Sequence, residues 1–140
     1  SDVYKRQYVT LFGSNTFAIV NTVTNTLQNT ISAGGVGPQG IALNAAGTEA
    51  FIVNFVSGNL VNVDLGTLTA SIVAIGAGAT DVIINASETR AYVTAVNANT
   101  ISVVDITVNP IAVIETISGE DPSGINAAPG DVQAYVTNPN

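Results

Sequence analysis

The side chains that could do chemistry in this chain are mainly carboxylates and amides, and one set of them recurs at a nearly fixed interval. Asn21, Asp64 and Asp105 lie 43 and 41 residues apart (64−21 and 105−64), each at the end of a segment rich in β-branched residues. Oxygen atoms repeated in this way could form a ring of ligands for cations. The alternative is a structural turn, in which each side chain accepts hydrogen bonds from backbone N–H groups just ahead of it. We favour the turn, because a binding site normally takes different groups from different parts of a fold.

A second set of acids, Asp81, Glu120 and Asp121, lies in the longest loops of the chain. Carboxylates there could bind a hard cation such as Ca²⁺ through their oxygen atoms. The sequence has no EF-hand spacing and no repeated Gly-Gly-x-Gly-x-Asp pattern. We therefore predict solvated loop acids and propose neither a metal site nor a cofactor from the sequence.

Three amides, Asn54, Asn97 and Asn138, follow short segments that begin with an aromatic residue. They could hydrogen-bond a polar ligand such as a sugar, although turn-forming asparagine is the interpretation we favour. Arg90, which is the only basic residue after the first seven positions, is expected to be a solvated surface charge.

Catalytic chemistry has no candidate residue in this sequence. The chain contains no His and no Cys, so it has no Ser-His or Cys-His arrangement, no disulfide and no cysteine zinc site. We also identify no pair of carboxylates in a general-acid environment. The sequence predicts no catalytic residue.

These candidate residues are carried by a repeated unit. Four aromatic residues open short alternating segments at intervals of 43, 41 and 43 residues: Tyr8, Phe51, Tyr92 and Tyr135. A period of about 40–45 residues is that of a four-stranded propeller blade. The sequence repeats are predicted to span residues 8–49, 50–90 and 91–133, with the start of a fourth at 134–140.

Each repeat also contains a hairpin of constant length. Gly40, Asp81 and Gly124 each precede the next aromatic residue by 11 positions, so this hairpin is expected to be the most rigidly defined part of the unit. In two copies the glycine follows a proline in a Pro-x-Gly segment. We predict a chain reversal there, because proline fixes φ and glycine tolerates conformations closed to other residues. Asp81 replaces the glycine in the middle copy.

The unit resembles the YVTN-family β-propeller repeat, through Tyr-Val-Thr, the strand that ends in Asp, and Pro-x-Gly-Ile-Ala before the next copy. The resemblance covers residues 8–138 and implies that the Gly-Ile-Ala segment is the inner strand of a blade, beside a central channel. The fold class is then all-β, an arc of four-stranded antiparallel blades. Residues 38–75 and 79–118 form two complete blades, and residues 8–32 and 122–138 form two partial ones. A β-helix is the competing architecture, but its rungs are nearer half this length.

The ends of the chain suggest a fragment. Residues 2–7 resemble a translated sequencing adaptor, so residues 1–7 are expected to be a non-native tail. The chain has no Met and stops a few residues into its fourth repeat. We expect a piece of a longer protein with any signal peptide upstream; a mature protein trimmed at both ends is the alternative.

Composition narrows the classes of partner. The chain is 46% hydrophobic, which excludes disorder, but no apolar run approaches the ~18 residues that span a bilayer. A net charge of −7 disfavours nucleic acid and anionic membrane surfaces, which need a basic footprint. The acidic, Lys-poor composition favours an extracellular or cell-surface protein.

We therefore predict a non-catalytic binding or structural segment that presents loops to a protein or glycan. The alternative, implied by the resemblance, is part of a lactonase-like propeller hydrolase whose active-site residues lie outside this segment; propeller lyases use a channel histidine, which this chain lacks. The expected partners include the remaining blades of the same chain or a second copy of it. Partial blades leave strand edges open, and such edges template pairing.

Overall fold

The computed structural model describes residues 5–127 and 133–138, and most of these residues lie in thirteen β-strands. The strands are β1 (Arg6–Leu11), β2 (Thr16–Asn21), β3 (Thr26–Ser32), β4 (Pro38–Leu43), β5 (Glu49–Asn54), β6 (Asn59–Asp64), β7 (Ala70–Ala74), β8 (Ala79–Ile84), β9 (Arg90–Ala95), β10 (Thr100–Asp105), β11 (Ala112–Ser118), β12 (Gly124–Ala127) and β13 (Ala134–Thr137). One short 3₁₀ turn, Phe12–Ser14, joins β1 to β2. No helix in the described part of the chain is long and apolar enough to cross a membrane.

The strands form four antiparallel sheets, each of which is one blade. Blade 1 has the order β1-β2-β3, blade 2 β4-β5-β6-β7, blade 3 β8-β9-β10-β11, and blade 4 β12-β13. The inner strands β4, β8 and β12 lie side by side along the arc. The predicted all-β architecture, with two complete and two partial blades, is confirmed. The first strand begins at Arg6, so it includes two residues of the segment predicted to be a tail.

The hydrophobic core lies between the blades, and strand β5 shows why. Successive side chains of a strand point to opposite faces of the sheet. Ala50 and Ile52 pack into a cluster with blade 1, whereas Phe51 and Val53 pack into a cluster with blade 3. All four are at most 2% exposed. Burying a side chain the size of Ile or Phe is worth about 1.5–3 kcal/mol, so blade-to-blade contact stabilises both faces of the sheet.

The repeated aromatic residue points along the arc to the following blade. Tyr8 of blade 1 packs against the cluster shared with blade 2, and Phe51 of blade 2 lies in the cluster shared with blade 3. The hydroxyl oxygen of Tyr8 is buried without a hydrogen-bond partner among the described residues. The aromatic position of the repeat is therefore a packing position between blades.

The hairpin turns use the residues that the backbone requires. The turn after the aromatic strand has one residue in the left-handed region in each copy, Asn15 (φ 59°), Gly58 (φ 64°) and Asn99 (φ 54°). Asn and Gly tolerate this region with little strain. A second turn holds Asn25 in the same region, but its counterpart 43 residues later is Leu68, with φ 61°. A leucine there stores backbone strain.

Leu68→Asn is expected to raise the free energy of unfolding by up to about 1 kcal/mol. A left-handed conformation costs an ordinary L-residue about 1–2 kcal/mol, and Asn, which already holds the position in the preceding repeat, tolerates it better. Urea unfolding followed by circular dichroism measures the difference. The matched control is Leu68→Ala, which removes the exposed apolar side chain but keeps a Cβ atom at positive φ. An equal gain from Leu68→Ala would contradict the strain explanation.

Candidate functional site

The side chain that ends β2, β6 and β10 forms a turn in each of the three copies. These residues are Asn21, Asp64 and Asp105. Asp64 Oδ1 accepts hydrogen bonds from the N–H groups of Gly66 (2.8 Å) and Thr67 (2.9 Å). Asn21 Oδ1 does the same with the N–H groups two and three residues ahead, at 2.9 and 3.1 Å. The N–H groups of Thr67 and then Gly66 hold the pKa of the Asp64 carboxyl below its ordinary 3.8, because they stabilise the carboxylate. These oxygens are thus occupied by backbone donors.

Asp105 completes the set and has an additional partner. Its Oδ1 accepts hydrogen bonds from the hydroxyl (2.6 Å) and the N–H (2.9 Å) of Thr107, which lower the pKa of the carboxyl. Arg90 Nη1 lies 3.2 Å from the same oxygen and lowers the pKa further. The same nitrogen donates to the carbonyl of Thr89 at 2.8 Å. Arg90 is therefore half-buried and paired, and is not the solvated charge that the sequence predicted.

Gly40 lies inside β4 and Gly124 begins β12, and the structure gives a different reason for glycine from the predicted chain reversal. The φ angle of neither residue is in the left-handed region. A Cβ atom on Gly40 would lie 2.9 Å from the Cα of Asp81 in the inner strand of the next blade, and one on Gly124 would lie 2.8 Å from Thr137 Oγ1. Glycine at position 40 is required by the close approach of two inner strands.

Asp81, the residue that replaces glycine in the middle copy, bridges two blades. Its Oδ1 accepts the N–H of Val82 at 2.9 Å, and its Oδ2 accepts the N–H of Ile125, in the inner strand of blade 4, at 3.2 Å. Both carboxylate oxygens therefore bind backbone donors. Asp81 holds β12 against β8.

The threonine of Tyr-Val-Thr makes a repeated hydrogen bond between blades, which sequence reasoning missed. Thr10 Oγ1 donates to the carbonyl of Gln39 at 2.7 Å, and Thr94 Oγ1 donates to the carbonyl of Ser123 at 3.3 Å. Gln39 and Ser123 occupy equivalent positions in their repeats. Gln39 lies where the register of the pairing between β4 and β5 shifts. In blade 2 the residue equivalent to Thr10 and Thr94 is Val53, whose side chain packs in the hydrophobic cluster between blades 2 and 3. The recurrence of threonine in the motif was the available signal.

Asn54 lies inside the structure and is not available to a ligand at the surface. It is fully buried; its Nδ2 donates to the carbonyl of Ala33 at 3.0 Å and to Asn59 Oδ1 at 2.9 Å. Its own Oδ1 has no partner among the described residues. The amide therefore ties blade 2 to the loop that follows blade 1.

Three of the predicted ligand-binding residues meet at one groove. Glu120, Asp121 and Asn138 line it together with Asn99, and its volume is about 350 Å³. Asn97 is exposed in the neighbouring turn but does not line the groove. The lining offers carboxylate oxygens, which accept hydrogen bonds, and amides, which both donate and accept them. This combination suits a ligand that carries hydroxyl groups.

Asn99 fixes the shape of the groove. Its backbone carbonyl accepts the N–H of Gly119 at 2.8 Å, and its Oδ1 accepts the N–H of Asp121 at 3.2 Å. Asn15 holds the corresponding loop after blade 1 in the same way, since its Oδ1 accepts the N–H of Gly37 at 3.0 Å.

A further repeated amide closes the inner hairpins and was also missed. Asn44 Oδ1 accepts the N–H groups of Thr48 (2.9 Å) and Glu49 (3.0 Å), and Asn85 Oδ1 accepts those of Thr89 (2.9 Å) and Arg90 (2.8 Å). The 41-residue spacing of the two asparagines was the signal in the sequence.

Over residues 5–127 and 133–138, no three His, Cys, Asp or Glu side chains are grouped so that they could hold a metal ion.

Thr94→Val is expected to lower the free energy of unfolding by about 1 kcal/mol, because it removes a buried hydrogen bond between blades while keeping the side-chain volume. The matched control is Thr116→Val, which makes the same change at an exposed position of β11 and should change stability little. Chemical denaturation measures both. A Thr94→Val protein as stable as the original would show that the contact contributes nothing.

Acid is expected to destabilise the fold partly through Asp64 and Asp105. Their pKa values in the folded state lie below the ordinary 3.8, so the unfolded chain takes up protons first as the pH falls. The stabilisation is present above about pH 4 and is lost as the pH falls through the folded pKa. Asp64→Asn, which imitates Asn21, should flatten the acid limb of a plot of melting temperature against pH. Equal flattening in Glu115→Gln, which removes an exposed carboxylate outside any such turn, would contradict this assignment.

Comparison with protein families finds no matching family, and comparison with curated proteins finds no match. Solved structures that share the fold include two that cover most of this chain. Kuenenia stuttgartiensis hydrazine synthase superposes with a TM-score of 0.86 at 16% identity, over 94% of this chain and 38% of that one. A putative 6-phosphogluconolactonase from Bacteroides uniformis superposes with a TM-score of 0.79 at 13% identity, over 99% of this chain and 48% of that one.

This chain thus spans less than half the length of either solved structure. Identities this low establish the fold alone. Both neighbours are β-propeller-like, in agreement with the sheet order observed here. The chain is an arc of a β-propeller.

Proposed function

We propose that this arc is a binding module that presents the groove between Asn99 and Asn138 to a carbohydrate. The observation that carries the proposal is the meeting of Glu120, Asp121, Asn99 and Asn138 around one open cavity. The carboxylate of Glu120 and the amides of Asn99 and Asn138 can hydrogen-bond several hydroxyl groups at once. A neutral sugar places such groups around its ring, and the volume of about 350 Å³ lies at the small end of the range for ligand pockets.

The rigidity of the groove supports the same function. The loop that carries Glu120 is anchored to Asn99 by two hydrogen bonds, at 2.8 and 3.2 Å. Asn99 itself lies in a hairpin turn between paired strands. A site that is ordered before binding loses less conformational entropy when the ligand arrives. We place this function in a secreted or cell-surface protein, in keeping with the acidic composition.

The alternative is part of a propeller hydrolase. Its support is the structural similarity to a putative 6-phosphogluconolactonase. Under this alternative the catalytic groups would come from blades outside the present chain.

Saturation-transfer NMR with a panel of neutral sugars, namely glucose, galactose, mannose and N-acetylglucosamine, tests the proposal. At least one sugar should receive saturation from the protein. Glu120→Ala should weaken its binding by on the order of tenfold, since one charge-assisted hydrogen bond is worth about 1.5–3 kcal/mol. A titration monitored by the same signal gives the dissociation constant.

The matched control is Glu115→Ala, which makes the same change of charge on β11, outside the groove. It should leave sugar binding unchanged. Absence of saturation transfer to every sugar, or equal weakening in both variants, would contradict a carbohydrate site in this groove. Capture of a protein ligand that depends on Glu120 would assign the groove to a protein partner instead.

A further inference from the structure

A second cavity, of about 310 Å³, lies between blades 2 and 3, both of which are complete. Its wall on the side of blade 2 carries Glu49, Asn62 and Asp64, and its wall on the side of blade 3 is the connection between β10 and β11. Asn99, which lines the groove at Glu120, precedes β10, whereas this connection follows β10. The cavity is therefore at the opposite end of β10 from the groove.

The polar side chains of the cavity that come from blade 2 share one face of its sheet. Glu49 lies opposite Asp64, and Asn62 lies opposite Phe51 on one side and Ser71 on the other. Alternate residues of a strand and directly opposite residues of paired strands share a face, and Phe51 packs towards blade 3. Glu49, Asn62, Asp64 and Ser71 therefore all face blade 3, beside the hydrophobic cluster that joins the two blades.

Two carboxylates on this face lie close together. Glu49 of β5 and Asp64 of β6 are directly opposite each other, and like charges in this arrangement destabilise a sheet. Asp64 Oδ1 accepts the N–H groups of its own turn. In the part of the chain that the structure describes, the basic side chain that pairs with an acid of the blades is Arg90, and its partner is Asp105. The carboxylates of Glu49 and Asp64 thus have no counter-charge among the described residues.

Blade 3 shows which group completes the same arrangement. The residue equivalent to Glu49 is Arg90, which lies opposite Asp105 as Glu49 lies opposite Asp64. Arg90 Nη1 lies 3.2 Å from Asp105 Oδ1 and donates to a backbone carbonyl at 2.8 Å. A guanidinium group of the chain itself therefore neutralises the aspartate in blade 3. In blade 2 the equivalent position supplies a second carboxylate instead.

Asn62 is a second departure of blade 2 from the repeat. The residue opposite the repeated aromatic is Ile19 in blade 1 and Val103 in blade 3, and these are only 8% and 7% exposed. In blade 2 that residue is Asn62, whose Nδ2 is buried without a partner among the described residues and whose Oδ1 accepts no hydrogen bond from them. An amide at a core position is costly unless it is hydrogen-bonded. Both departures therefore lie beside this cavity.

The wall from blade 3 suits the alkyl part of a cation. Ile106 and Ile111 line the cavity and belong to, or pack against, the hydrophobic cluster between the blades. Long cationic side chains lay their methylene groups on such a surface while the charged head remains at a polar rim. The N–H of Ile111 donates to Ser71 Oγ at 3.0 Å, which ties this wall to blade 2. The connection has six residues, against four in blade 1 and five in blade 2, so the wall differs from its counterparts.

We propose that this cavity binds an alkyl guanidinium group, with its charged head at Glu49 and Asp64 and its alkyl chain on Ile106 and Ile111. A guanidinium carries five N–H donors in a planar fork, so it can bind both carboxylates and the amide oxygen of Asn62. The net charge of −7 attracts such a cation at longer range. Free guanidinium compounds and arginine side chains of a peptide share this chemistry. The proposal is independent of the carbohydrate groove.

NMR titration of the isotope-labelled full chain with butylguanidinium, at constant ionic strength, tests the proposal. The side-chain amide signals of Asn62 and the backbone N–H signal of Thr107 should shift, because both residues line the cavity. Butylurea has nearly the same shape but no charge, and it should shift neither signal. Equal shifts from butylurea would overturn the proposal.

Glu49→Gln should weaken the binding of butylguanidinium by on the order of tenfold, because it removes a charge-assisted hydrogen bond. The matched control is Glu115→Gln, which makes the same change on β11, outside the cavity, and should leave binding unchanged. Glu49→Arg copies blade 3. It should abolish binding and raise the melting temperature above that of Glu49→Gln, because its own guanidinium then meets Asp64. Equal weakening in Glu49→Gln and Glu115→Gln, or a Glu49→Arg protein that still binds the probe, would overturn the proposal.

A second pair of titrations identifies the source of the guanidinium. If the peptide acetyl-Gly-Arg-Gly-amide binds more tightly than butylguanidinium, the cavity is assigned to an arginine side chain of a protein partner. If butylguanidinium binds at least as tightly as the peptide, the cavity is assigned to a free small molecule. Displacement of butylguanidinium by Ca²⁺ at the same ionic strength would assign the two carboxylates to a metal ion and overturn the proposal.

Discussion

Burial of apolar side chains between neighbouring blades is the interaction on which this structure depends. In blade 2, Ile52 packs against blade 1 and Phe51 packs against blade 3. Each hydrophobic cluster therefore forms only where two blades are in contact. A repeat unit of this type cannot bury its apolar surface alone, and its stability comes from the contact with the next unit. The residues at the two open ends, Val9 and Tyr135, show what the same positions look like without that contact.

Polar contacts near the inner strands follow from this packing. Once the inner strands are in contact, position 40 has no room for a side chain, and the carboxylate at position 81 meets the backbone of β12. The hydroxyl of Thr94 meets a carbonyl of the next blade for the same reason. Residues that could have been ligands are thus used to align neighbouring blades. Buried polar groups in such a contact need partners, because an unpaired one costs about 1–3 kcal/mol.

The loops that precede the inner strands β4, β8 and β12 differ in sequence between copies, because packing between blades constrains their side chains less. Asn15 and Asn99 hold the loops with equivalent hydrogen bonds, yet only the loop after blade 3 carries two consecutive acids, Glu120 and Asp121. The groove therefore belongs to one junction of the arc and not to the repeat. Function in repeat folds is expected where the copies diverge, since shared positions serve packing.

The sequence alone determined the period of the repeat, the constant length of its inner hairpin and, through the family resemblance, the division into two complete and two partial blades. These features follow from the order of residues along the chain, because they depend on the spacing of aromatic, glycine and proline residues and on alternation along a strand. It did not determine why position 40 is glycine, that Arg90 pairs with Asp105, or that Asn54 is buried. Only the tertiary structure decided these points, because each depends on groups brought together by the pairing of strands or by the packing of one blade on the next.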